Sequence, residues 1–371
     1  MAAHKAPRGP ARTQPSCRLE SDATILTKLQ STAQPRGKAP VMTASATPAA
    51  PAVVLGTASF GTGTPQAKFN SRETAGPLLD VCQQRGVHLL DSARAYPVGN
   101  PGSAEKLLGE LGAGSWATIS TKVTSWAPGS HSAAKIAESV PLSLDALGVD
   151  SVDIMYLHSP DRTTPWAVTA EAMDEQFRLG RFKRFGLSNY TAEEVEAICQ
   201  VCEENGWNRP SVYQGRYNAI IRSGEEQLWP TLRKWGMSFY AYSPSAAGMF
   251  TGNINSSSVN VAGSRWDKTT RLGQAYESAY LKPSLIEAAA RVADMAKAAG
   301  IGGHDVALRW VMYHSILDGR RGDAVILGCS SVRQMSANLD AIAAGPLSGE
   351  LVEVINGVWD VVRDDAASYH L

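Results

Sequence analysis

Four polar side chains, Asp91, Tyr96, Lys122 and His158, stand at or just past the C-terminal ends of apolar, strand-like runs. The runs are 87–91, 116–122 and 152–158, and Tyr96 follows Asp91 within Asp-Ser-Ala-Arg-Ala-Tyr. Reducing a carbonyl requires a hydride on carbon and a proton on oxygen. A phenol, with an ordinary pKa of about 10, holds its proton at neutral pH. An ammonium beside it favours the phenolate, so Lys122 is expected to lower the Tyr96 pKa and make it a better general acid. Asp91 is expected to hold Lys122 charged and in place. His158, if neutral, is expected to donate a hydrogen bond that orients the substrate oxygen. Each residue alone is commonplace at a strand end. Together, in this order, they make a proton-donating site for a carbonyl.

The elements that must position them follow from periodicity. Apolar runs near 53–56, 87–91, 116–123, 152–158, 182–187, 211–214, 237–242 and 324–328 read as eight strands. Between them lie stretches of helical spacing at 72–85, 103–111, 132–147, 165–179, 191–205 and 224–235. Two more, about 283–299 and 304–317, precede the last strand, and one at about 348–364 follows it. Strand–helix alternation implies parallel pairing, and eight strands imply a closed (β/α)8 TIM barrel from 53 to 371 as one domain. Catalytic groups of such barrels come from the C-terminal ends of several strands. A doubly wound sheet is disfavoured: after Gly61-Thr62-Gly63 comes Thr64-Pro65-Gln66, without the third glycine of a dinucleotide fingerprint. The stretch 245–282 reads as a long irregular loop on the active-site face.

Composition sets outer limits. The 371 residues are 44% hydrophobic and 19% charged, with 35 basic and 35 acidic side chains. Zero formal charge gives no global attraction to nucleic acid, and no apolar run approaches a membrane span. The five cysteines give no disulfide framework. Cys199 and Cys202 form a C-x-x-C inside a helix, away from its N-terminus, so a redox role is disfavoured. The histidines are scattered, and no metal site is expected. Residues 1–52 are rich in Ala, Pro, Ser and Thr and read as a disordered extension. Its few acids fit a mitochondrial transit peptide, but its prolines break an amphipathic helix, so a cytoplasmic protein is expected. Met42 lies just before the barrel.

From Val53 onward the chain resembles the aldo-keto reductases, most closely the aflatoxin-aldehyde reductase branch. The motifs are Leu55-Gly56-Thr57, Asp91 to Tyr96, Ser120-Thr121-Lys122-Val123, Tyr156-Leu157-His158-Ser159-Pro160-Asp161, Gly186-Leu187-Ser188-Asn189-Tyr190, Tyr213-Gln214-Gly215-Arg216-Tyr217-Asn218, Ala241-Tyr242-Ser243-Pro244 and Gly328-Cys329-Ser330-Ser331, with Gln334, Asn338 and Leu339. The resemblance implies NADPH bound across the barrel mouth. Ser188, Asn189 and Gln214 would hold the nicotinamide carboxamide, and Tyr242 would stack on its ring. Ser330 and Gln334 would meet the 2′-phosphate end and Asn338 the adenine, with Thr57, Ser243, Arg265 and Gly328 completing the set. Ala337 and Asn253 depart from the glutamate and lysine common in relatives, and Arg265 is expected to supply the missing phosphate charge. Leu371 stands where the branch ends in a carboxylate-pairing arginine, and Tyr276 to Tyr280 lacks the arginines found beside the matching aromatics. The expected substrate is therefore a small neutral or aromatic aldehyde. Close relatives form homodimers. The alternative is a cofactor-binding regulatory subunit of the same fold with little turnover.

Overall fold

The computed structural model describes residues 49–254 and 266–370. The calls on Arg265, on Leu371 and on most of the extension therefore lie outside the described residues. Eight strands follow in order: β1 (Ala52–Gly56), β2 (Leu89–Asp91), β3 (Thr118–Val123), β4 (Val152–Leu157), β5 (Phe182–Ser188), β6 (Pro210–Arg216), β7 (Ser238–Tyr242) and β8 (Ala324–Leu327). Each pairs in parallel with the next, and β8 returns to β1 with Ala52 opposite Ala324, closing the barrel.

Two-residue alternation decides which side chains fill the barrel. Val54, Ile154, Tyr156, Val212, Tyr240, Ala324 and Ile326 form one buried cluster inside it. Residues in the same phase continue towards the C-terminal ends: Asp91 follows Leu89, His158 follows Tyr156, and Gln214 and then Arg216 follow Val212. Gly186 of β5 is held to glycine by this packing, because an added Cβ would stand 2.3 Å from the Tyr156 ring.

A larger apolar shell lies between the sheet and the helices. The helix Ala192–Asn205 shows how it forms. Thr191 caps it by accepting from the Glu194 N–H at 3.2 Å, and Glu194 reaches back to the Thr191 N–H at 2.9 Å. Val195, Ile198, Cys199 and Cys202 then fall on one buried stripe. The C-x-x-C is thus core packing, and burial pushes both thiols up to about 12.

The helical stretch expected at 224–235 is two helices, Gly224–Gln227 and Trp229–Lys234. The break falls just before Pro230, at the start of the second helix, where a missing N–H costs nothing. The described residues of the expected loop 245–282 include regular structure. They hold a tight turn at Ala246–Thr251 and a helix at Arg271–Tyr280, capped by Thr270. The mixed glycine, serine and aromatic composition hid this helix, whose buried face is small: Gly273, Ala279 and Tyr280. No helix among the described residues is long and apolar enough to cross a membrane.

Candidate active site

Asp91 ends β2, and its chain keeps hydrogen bonding to β3 past the strand's end. Ser92 N–H donates to Ser120 O at 2.8 Å and Arg94 N–H to Lys122 O at 3.0 Å. A turn then closes from Tyr96 N–H to Ala93 O at 2.9 Å. That path returns the Tyr96 ring over Lys122, whose Nζ lies 5.1 Å from the ring centroid. Lys122 is fully buried and donates to Asp91 Oδ2 and to Ser92 O, each at 2.6 Å. The second Asp91 oxygen accepts from Gln214 Nε2 at 2.8 Å. The Thr57 hydroxyl donates to the Asp91 carbonyl at 3.0 Å. Strands β2, β3 and β6 therefore meet at one carboxylate, and Thr57, just past β1, holds its backbone.

Burial lowers the Lys122 pKa, and Asp91, with Glu105 behind it, opposes the drop. His158 is held well below its ordinary value by burial and by the Lys122 charge, so it is neutral. Its ring stands edge-on to Tyr96, with centroids 5.5 Å apart. The four residues expected to act together are brought together. One expectation is corrected: the Tyr96 pKa lies well above 10.0, raised first by burial and then by Asp91, Tyr242 and Tyr276. Desolvation of the phenol outweighs the nearby ammonium.

The expected carboxamide-binding residues form a lattice of their own. Asn189 takes a left-handed backbone, φ 67°, which asparagine tolerates. Its Nδ2 donates to His158 O at 2.9 Å and Ser188 Oγ at 3.0 Å, and its Oδ1 accepts from the Tyr242 hydroxyl at 2.8 Å. Asn189 thus ties β4, β5 and β7 together at the mouth. Ser243 is also left-handed, φ 56°, and its carbonyl accepts from Asn218 Nδ2 at 3.0 Å.

Beyond β8, exposed Gly328 and Ser330 lead into the helix Val332–Ala343. Ser331 caps that helix by accepting from Gln334 N–H at 3.2 Å. Gln334 Oε1 accepts from both Ser330 N–H, at 2.8 Å, and Ser330 Oγ, at 3.0 Å. Asn338 is buried and pairs with His304 Nε2 at 3.0 Å.

Several residues around the site were not singled out from the sequence. Fully buried Glu105 accepts from Thr121 Oγ1 at 2.6 Å and pairs with Arg94 at 3.0 Å. Trp126 is 57% exposed, and its ring lies 4.4 Å from the His158 ring. Ser125 meets His131 Nε2 at 2.9 Å and accepts from the N–H of Ser159, the residue after His158, at 3.3 Å. Asp161 accepts from the His131 N–H at 3.1 Å. Burial tends to raise the Asp161 pKa, but hydrogen bonds from Thr163, Thr164 and His131 hold it well below the usual carboxylate range. No spacing rule finds such partners; only the His-Ser-Pro-Asp run hinted at them.

The geometry is that of a closed eight-stranded barrel with its polar groups gathered at one mouth, and comparison with known proteins gives its family. The aldo/keto reductase family matches residues 52–360. The chain belongs to this family. This aldo/keto reductase is 38% identical over 339 residues to Oxidoreductase sirO of Leptosphaeria maculans, covering 89% of this chain and 100% of the relative. It is 36% identical over 342 residues to Aflatoxin B1 aldehyde reductase member 2 of Mus musculus, covering 89% and 90% of the two chains. With Aflatoxin B1 aldehyde reductase member 4 of Homo sapiens it shares 34% identity over 335 residues, covering 87% and 98%. The resemblance to the aflatoxin-aldehyde branch is borne out.

Proposed function

We propose that this family member reduces aldehydes or ketones to alcohols with NADPH, Tyr96 giving the proton. The observation that carries the reading is the buried Lys122–Asp91 pair, set under the Tyr96 ring and beside a neutral His158. When bound, reduced nicotinamide supplies the hydride. The residues of the chain do the rest. Asp91 and Ser92 O hold the Lys122 ammonium in one place. Lys122 stabilises the charge that develops on Tyr96 as its proton leaves, in a site where little water screens it. His158, carrying no charge, donates to the carbonyl oxygen without competing as an acid.

The residues present fit a dinucleotide. Ser188, Asn189 and Tyr242 are joined by side-chain hydrogen bonds at the mouth, and Gln214 meets Asn189 through its backbone carbonyl and Asp91 through its side chain. At the far end, Gln334 Oε1 sits where an acceptor oxygen satisfies Ser330 N–H and Oγ. A 2′-phosphate oxygen would make the same two bonds at a helix N-terminus beside exposed Arg333. This supports NADPH over NADH. The exposed face of Trp126 and the Trp266–Tyr276 pair, centroids 5.8 Å apart, favour a neutral or aromatic aldehyde.

The test is steady-state NADPH oxidation with 4-nitrobenzaldehyde. Turnover that Tyr96→Phe abolishes supports the reading. Tight cofactor binding without turnover would assign a cofactor-holding regulatory subunit instead.

A further inference from the structure

Arg216 is the second residue after Gln214 on β6, so both side chains point into the barrel. Gln214 reaches Asp91. Arg216 stands one layer higher, level with Tyr242, its register partner on β7. Its guanidinium carbon lies 6.0 Å from the centroid of the Tyr280 ring, and it faces the phenols of Tyr242, Tyr280 and Tyr276. It is only partly open to solvent.

The arginine's electrostatics set it apart. Arg94, Arg184, Arg222 and Arg233 each close on a carboxylate, at 3.0, 2.6, 2.8 and 2.7 Å. Arg216 makes no ion pair with any described residue. The phenols around it offer π faces and hydroxyl oxygens but no compensating charge, since burial holds Tyr242 and Tyr280 protonated. A partly buried cation without a counter-ion lowers stability unless something else supplies the anion. The Tyr242 hydroxyl donates to Asn189 and so turns its lone pairs towards Arg216. That fixes one edge of the guanidinium and leaves the rest of its five-donor fork for a ligand.

We propose that Arg216 is the counter-ion for an oxyanion that a bound ligand carries into the barrel mouth. The proposal rests on the function given above, in which the mouth receives a dinucleotide and a carbonyl compound. Two oxyanions then qualify: the cofactor's diphosphate and, in place of the neutral substrate favoured above, a carboxylate on an aromatic aldehyde. Both suit a bidentate guanidinium contact.

The test compares wild type with Arg216→Met and Arg216→Lys, after melting curves show that each folds. Affinities for NADPH and for adenosine 2′,5′-bisphosphate, which lacks the diphosphate bridge, are read by protein fluorescence. At saturating NADPH, kcat/KM is compared for 4-carboxybenzaldehyde and 4-nitrobenzaldehyde. A tenfold or greater loss of NADPH affinity in Arg216→Met, with the bisphosphate affected less than twofold, places the diphosphate on Arg216. NADPH affinity within twofold, with a tenfold fall in the carboxy-to-nitro ratio, places a substrate carboxylate there. Arg216→Lys should recover part of either loss. Should Arg216→Met not fold, a threefold or greater effect of Arg216→Lys on either readout decides for the proposal and a smaller one against it. Affinity and ratio both within twofold of wild type overturn it. If wild type turns over neither aldehyde yet binds NADPH in an Arg216-dependent way, the proposed function falls and the anion site stands.

Discussion

At the scale of single residues, the proposed reduction draws its proton from one hydroxyl, that of Tyr96. Tyr96→Phe keeps the ring over Lys122 and removes the hydroxyl. We expect kcat to fall by roughly 10²- to 10⁴-fold, the usual worth of a general acid, with NADPH affinity by fluorescence quenching near that of wild type. A variant that keeps most of its kcat would assign the proton to another group. The pH profile reports the same site. His158, lowered below 6.5, stays neutral above that pH, and Tyr96, raised above 10.0, stays protonated up to it. The rate of reduction should therefore be flat between pH 6.5 and 10, with the acid limb from His158 well below that window and the alkaline limb from Tyr96 well above it. An alkaline limb near pH 8 would instead show that Lys122 governs the phenol once ligand is bound. Asp91, Lys122 and His158 were legible because strand phase and strand ends place them; Tyr96 was legible only from its run with Asp91, since a turn past β2 brings it back. The use of Asn189 as a strut, and of Glu105 as a buried partner for Thr121 and Arg94, was not. Those contacts depend on which loops meet, and spacing does not encode it.

At the scale of elements, two loops and one helix carry predictions. The helix Val332–Ala343 presents Ser330, Ser331 and Arg333 at its N-terminus, with Gln334 standing in for an acceptor. A 2′-phosphate should displace that oxygen and gain the helix end, so kcat/KM with NADPH should exceed that with NADH at least tenfold. Equal values would show that this end of the site reads no phosphate. The loop after β3 is fastened to the loop after β4 by His131, Ser125 and Ser159. Burial lowers the His131 pKa from 6.5 to about 4, so the folded protein keeps the ring neutral. Above pH 6.5 neither state is protonated and stability is unaffected. As pH falls from 6.5 towards 4 the unfolded chain takes up the proton first, and stability is lost, by roughly 3 kcal/mol across that window at about 1.4 kcal/mol per unit. His131→Gln keeps a hydrogen-bonding group and removes the titration. Urea midpoints at pH 7 and pH 4.5 should differ less in the variant than in wild type; parallel losses would show that other groups set the pH dependence. Strand order and most helices were readable from period and alternation. The helix Arg271–Tyr280 was missed because its buried face is only Gly273, Ala279 and Tyr280, which leaves little apolar pattern, and the break before Pro230 falls inside a stretch of uniform helical spacing.

At the scale of the whole molecule, the barrel closes from a definite point in the chain. Ala49 is the first residue with a partner outside its own segment among those described: its N–H donates to Asp318 Oδ1 at 3.3 Å, and its carbonyl accepts from Gly319 N–H at 2.8 Å. An added Cβ on Gly319 would stand 2.3 Å from Ala50 O, so the contact is close. Ala52 N–H then donates to Asp323 O at 3.2 Å, and β1 zips onto β8. Asp323 itself is fully buried, paired with Arg233 at 2.7 Å and accepting from the Phe239 N–H at 2.7 Å. The first and last strands are therefore locked at the N-terminal rim by residues from 49 onward, away from the strand ends that carry the site. The sequence before this point, rich in proline and small polar residues, has little apolar surface to bury. A chain starting at Met42 keeps every contact of the rim. It should match the full chain in melting temperature within about 1 °C and in kcat/KM for 4-nitrobenzaldehyde within twofold. A destabilisation of 1 kcal/mol would lower the melting temperature of a large domain by about 2–4 °C, so the comparison resolves even one modest contact. A drop of that size on truncation would show that residues 1–41 pack on the barrel, and a drop in kcat/KM alone would place them near the mouth.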